Sequence, residues 1–143
     1  MTKTITKLFL RLSLAACFLS AVADRFGWWI ADVSVWGNWN NFIDYTRLIN
    51  PWFPEGLISF FAAIATAAEI LFGVLLLIGL KTEFIAKLSG ILLLVFGLSM
   101  TFSTGIKGAL DYSVFTASAA AFALSLMNEK YLEIDGLFSK QRN

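Results

Sequence analysis

The chain has 143 residues, 58% of them hydrophobic and only 15% charged, with a mean hydropathy of +0.74. A water-soluble globule of this size is excluded by that balance. With 11 Lys+Arg against 10 Asp+Glu the net charge is +1, so no basic field exists to neutralise a phosphate backbone, and nucleic acid is excluded as a partner. The absence of histidine and the single cysteine, Cys17, exclude a self-contained haem, iron–sulfur or Cys/His zinc site and any dithiol chemistry within the chain. Any metal site would need oxygen ligands, and none is predicted. Redox work would require a borrowed cofactor.

A membrane helix needs about 20 predominantly apolar residues. Four segments approach that length, at about 8–30, 57–80, 88–106 and 112–127. They predict one all-α domain over residues 1–143, an integral-membrane four-helix bundle. The first segment carries Arg11, Asp24 and Arg25. Its Lys3 and Lys7, followed by an apolar run ending in Ala21, Val22 and Ala23, also fit a secretory signal. Arg11 within the run, and Phe26, Trp28, Trp29 and Ile30 continuing it, favour a retained span. The fourth segment is short and alanine-rich.

Between the first two spans, residues 31–55 form the one long connection. Trp28, Trp29, Trp36, Trp39 and Trp52 lie in or beside it. Indoles favour the headgroup region, so this connection is expected to lie flat on the membrane as a loop or short interfacial helix. A helix from about 36 to 48 would place Trp36, Trp39 and Ile43 on one face, and Pro51 and Pro54 would stop it. These aromatics either anchor the loop or form the lid of a ligand pocket. The polar tail, 128–143, contains Glu129, Lys130, Glu133 and Asp135. It reads as a short amphipathic or frayed helix with no assigned chemistry.

Lys and Arg retained in short loops mark the cytoplasmic side. With both termini inside, Lys3, Lys7, Arg11, Lys81, Lys87, Lys130, Lys140 and Arg142 are inner, against Arg25, Arg47 and Lys107 outer. Both termini are therefore expected in the cytoplasm.

Glu69 lies near the middle of the second span, where a charge costs about 2.5–3.5 kcal/mol unless it faces the protein interior and is protonated or paired. Arg11 and Arg25, fourteen residues apart, return to nearly one face of the first helix and are the candidate partners, each about 9–12 Å from Glu69 in depth. Asp24 points about 100° away from Arg25, toward Lys107 and Asp111 near the outer helix ends. Ala62, Thr66 and Gly73 share the Glu69 face, and Gly90 and Gly97 are a heptad apart. Such small residues are the usual contacts where helices pack in lipid.

The chain resembles the DoxX family of small bacterial four-helix membrane proteins. The likeness rests on Arg11 early in the first helix, Arg25 near its end where the family often has lysine, Glu69 followed by Gly73, and the Gly79, Leu80, Lys81, Thr82 boundary. The resemblance implies kinship with the membrane subunit of thiosulfate:quinone oxidoreductase. Other relatives are linked to redox complexes, methylamine utilisation or the handling of cargo proteins. The Trp-rich connection departs from the shorter members.

Three functional readings follow. The leading one is an accessory inner-membrane protein, not an enzyme by itself, that holds a quinone-like or other small amphipathic ligand and works with a redox partner. Its site would be Arg11, Arg25 and Glu69, with Asp24 and Asp111 near the mouth and the tryptophans as lid. The second is a scaffold in which the buried charges only fix helix packing. The third is a small transporter, which would require a homo-oligomer.

Overall fold

The computed structural model describes residues 2–139. Helix α1, Lys3–Arg25, begins where Thr2 accepts a side-chain hydrogen bond from the Ile5 amide, and it ends at Phe26 and Gly27, the latter at φ 71°. Its buried stripe runs through Lys7, Arg11, Leu14, Ala15, Phe18, Val22 and Arg25. That is the spacing of one helical face, but with cations at both ends of it. Helix α2, Trp39–Ile49, starts where Asn38 accepts from the Asn41 amide at 2.9 Å and turns Phe42, Thr46 and Ile49 inward. A 3-10 turn, Glu55–Leu57, leads into α3, Ile58–Ile78, followed by α4, Thr82–Thr104. Beyond α4 come α5, Ile106–Asp111, α6, Val114–Ser125, and α7, Ile134–Ser139.

Among the described residues three helical segments, Lys3–Arg25, Glu55–Ile78 and Thr82–Thr104, are long and apolar enough to cross a membrane. They are apolar outside as well as in: Phe9, Leu12, Ile64, Leu71, Phe84 and Val95 are all exposed. Water would penalise that surface and acyl chains favour it. The expected fourth span differs. Ser113, at φ 55°, separates α5 from α6, and α6 has only 12 residues. That is about 18 Å of helix against a hydrocarbon core of about 30 Å. The first span also lies earlier than expected, 3–25 rather than 8–30, because the chain turns at Gly27. The third starts at Thr82 rather than near 88. Trp36 precedes α2 instead of opening it.

Helices α1 and α3 run antiparallel in one register, with Arg11 beside Gly79, Phe18 beside Gly73 and Arg25 beside Thr66. Helix α4 packs on α6 through its glycines: a Cβ on Gly90 would lie 2.9 Å from the Phe122 ring, and one on Gly97 2.8 Å from Phe115. Ser118 Oγ donates to the Gly90 carbonyl at 2.8 Å. Without a hydrophobic force between helices in lipid, this close approach supplies the dispersion contact that holds them. Leu14, Phe18, Leu76, Ile85 and Leu124 fill the centre between α1, α3, α4 and α6.

The α3–α4 turn shows why α4 starts early. Gly79 ends α3 in the left-handed conformation, φ 71°, the usual helix stop. Lys81 then occupies the capping position of α4 with no side-chain cap of its own. Asp135 supplies one from 54 positions away, accepting from the Lys81 amide at 2.9 Å and the Thr82 amide at 3.1 Å. Asp135→Ala is expected to cost about 1 kcal/mol, the loss of a helix cap. Thermal unfolding in detergent, with faster amide exchange at Lys81 and Thr82, would measure it.

The tail is more than a frayed end. Residues 129–133 return to α1, where Lys7 Nζ donates to the Glu129 carbonyl at 2.6 Å and lies 3.0 Å from Glu133 Oε1. Arg11 donates to the Leu132 carbonyl at 2.6 Å and lies 3.3 Å from the same carboxylate oxygen. Lys140 and Arg142, part of the inner charge count, lie outside the described residues.

Candidate functional site: a cavity under the tryptophan segment

Because α1 and α3 share that register, Arg25 at the end of α1 stands level with Thr66. Glu69 lies three residues further along α3, about 4.5 Å deeper. The guanidinium turns inward to meet it. Arg25 Nη1 donates to Thr66 Oγ1 at 2.8 Å and forms an ion pair with Glu69 Oε2. Both side chains are buried, at 3% and 4% exposure. The guanidinium carbon also sits 3.9 Å from the Phe42 ring centre and 5.3 Å from that of Trp36, near enough for the aromatic faces to stabilise the cation. The group is thus electrically neutral yet polar, held between two helices and two rings.

Asp24, the preceding residue, does something different. Its carboxylate accepts from the Ser34 hydroxyl and from the amides of Val35 and Trp36, each amide at 3.0 Å. It ties the segment after α1 back over the helix end and sets Trp36 against Arg25. It does not meet Lys107, as the sequence suggested. Lys107 pairs with Asp111 one turn away on exposed α5, and this surface pair contributes little. Asp24→Ala is expected to destabilise by about 1–3 kcal/mol by leaving two amides and a hydroxyl without their acceptor. Increased exchange at Val35 and Trp36, with a changed indole fluorescence spectrum, would report it.

A cavity of about 1210 Å³ opens beneath this segment, lined by Arg25 and Glu69 on one side and Trp36, Phe42, Tyr45 and Trp52 above. Its walls are mainly apolar, from Ala16 and Cys17 of α1, Ile64 and Ala68 of α3, and Leu92 and Phe96 of α4. Exposed Cys17, Ser20, Ile64 and Val95 belong to its lining, so it opens sideways between helices and is not sealed. Also in the lining, Asn50 donates to the Thr46 carbonyl at 3.0 Å and accepts from Ser99 Oγ at 3.1 Å. Burial pushes the Tyr45 phenol up from its ordinary pKa, and nearby Tyr112 pushes it further in the same direction. Tyr45 therefore remains a neutral hydroxyl at physiological pH.

Of the sequence-derived candidates, Glu69, Arg25 and Asp24 come together at this cavity, as do Trp29, Trp36 and Trp52. Arg11 does not: it belongs to the Lys7–Glu133 cluster at the other end of α1. Asp111 is outside the lining, as are Trp28, which is 77% exposed, and Trp39, which stacks on Phe26 with centroids 6.1 Å apart. Sequence reasoning missed Tyr45, Asn50 and Ser99, whose types carry no charge signal. It also missed Glu133 as a partner for α1. The only hint was that Lys7 and Arg11 are four residues apart, hence on one face and in need of an acid.

Fold and site together define a helical membrane protein with a neutralised ion pair beside a laterally open, mostly apolar cavity. The DoxX family model matches residues 6–102, and the chain belongs to the DoxX family. No curated protein and no solved structure matches it. Matched residues include Arg25, Glu69 and the whole tryptophan segment, whereas Tyr112, Glu133 and Asp135 lie beyond them.

Proposed function

We propose that this protein is an accessory inner-membrane component that holds a quinone-like, uncharged amphipathic ligand in the cavity under the tryptophan segment and serves a redox partner. The observation that carries the reading is the buried Arg25–Glu69 ion pair in the wall of a mostly apolar cavity of about 1210 Å³. A cavity of that size suits a ring with an attached chain, and the sideways opening suits entry from lipid. Because Glu69 balances Arg25, the site favours an uncharged polar head over an anion. With α5 and α6 completing a fourth, broken crossing, the chain would be a four-helix bundle. The lysine distribution orients both termini to the cytoplasm and the tryptophan segment to the outer leaflet. Electrons would come from the partner, since the chain itself offers no thiol pair or histidine ligand.

Mass spectrometry of lipids and quinones co-purifying with wild type, Glu69→Gln and Ala68→Phe tests this. Wild type is expected to enrich a quinone-type species. Ala68→Phe, which projects a ring into the cavity and leaves both charges of the ion pair in place, should reduce its recovery, and Glu69→Gln should exchange it for anionic lipid because Arg25 is then unbalanced. Equal recovery of every species from all three would overturn the reading in favour of a packing scaffold.

A further inference from the structure

Two buried donors beside this cavity have no acceptor among the described residues. Arg25 spends Nη1 on Glu69 and Thr66, while its Nε–H is buried and unpartnered. The indole Nε1–H of Trp36 is likewise buried and unpartnered. Both residues line the same cavity, with the guanidinium carbon 5.3 Å from the Trp36 ring centre. Folded proteins pair nearly all such groups, so each of these neighbouring orphans calls for an acceptor. The charge of such an acceptor is constrained: Glu69 already neutralises Arg25, and a second anion beside it would be repelled at close range. Its surroundings are constrained too, because Trp36, Phe42 and Tyr45 form a cluster of aromatic rings, with Trp36 5.2 Å from Phe42 and 5.7 Å from Tyr45.

We infer that Arg25 Nε and Trp36 Nε1 form a two-donor notch for an uncharged carbonyl oxygen on a flat, membrane-soluble ligand, and that Trp36 is the residue that selects for that oxygen. This rests on the cavity being a ligand site. It adds the recognition atoms and the residue that discriminates. Asp24 enters as a positioning residue, since its bond to the Trp36 amide fixes where the indole stands.

The full chain in lipid nanodiscs can be titrated with decyl-1,4-benzoquinone and with decylbenzene, which keeps the ring and chain but has no carbonyl. Wild type is expected to prefer the quinone. Trp36→Phe, which keeps an aromatic wall and removes the N–H, should reduce that preference about fivefold to tenfold, the worth of one hydrogen bond, and leave decylbenzene affinity unchanged. Trp28→Phe, altering an indole outside the lining, should change neither. An unchanged preference in Trp36→Phe would overturn the notch, because water would then be filling it, while the ligand site would stand. Equal weakening of both probes would overturn it as well, making Trp36 a wall and not a donor. If wild type bound neither probe, the reading of the cavity as a ligand site would fall together with the notch.

Discussion

Glu69→Ala is expected to destabilise the protein by about 3–5 kcal/mol, because it strands a buried guanidinium without its counter-charge. Arg25 is 2% exposed and anchored from α1 into α3, so it cannot easily swing into water. Arg25→Ala should cost a similar amount by stranding the carboxylate. Arg25→Met combined with Glu69→Leu is expected to regain most of the loss, since exchanging a buried pair for apolar groups of similar volume is often close to neutral. Thermal unfolding in detergent would give the stabilities. The double variant separates packing from function: restored stability with loss of whichever species co-purifies with wild type assigns the pair to ligand binding. Restored stability with that species retained makes it a register device.

Glu133→Ala should have an effect of the same order, about 3–5 kcal/mol, and a different signature. One carboxylate serves two cations there, Lys7 and Arg11, each 2% exposed. Removing it leaves two like charges buried side by side, with only the carbonyls of Glu129, Tyr131 and Leu132, among the described residues, to hold them. The expected result is release of the tail, read as proteolytic cleavage near 129–133 and as loss of protection at Thr82, whose cap Asp135 lies just beyond. Ligand recovery should not change. Arg11 and Arg25 are fourteen residues apart on α1, about 21 Å, and the cavity lining includes neither Arg11 nor Glu133. An altered ligand profile in Glu133→Ala would mean that the two ends of α1 are coupled.

Composition and periodicity determine much of this protein by themselves. Apolar runs of sufficient length give α1, α3 and α4, because helix length is set by the thickness to be crossed, and the resemblance to the DoxX family marks the boundary at Gly79. The cost of a charge within lipid picks out Glu69 as a residue that must be compensated, and the repeat of the helix puts Arg11 and Arg25 on one face as its possible compensators. Which arginine serves it was a matter for tertiary structure. The α1–α3 register lets Arg25 reach Glu69, and the returning tail supplies Glu133 to Arg11. A register depends on how Gly73 admits Phe18 and Leu19, a fit of shapes between residues far apart in sequence. Asp24 illustrates the same division: its charge was visible from the start, but its partners, the Val35 and Trp36 amides, are backbone groups common to every residue. No sequence pattern singles those out, and only the folded chain brings them within bonding distance.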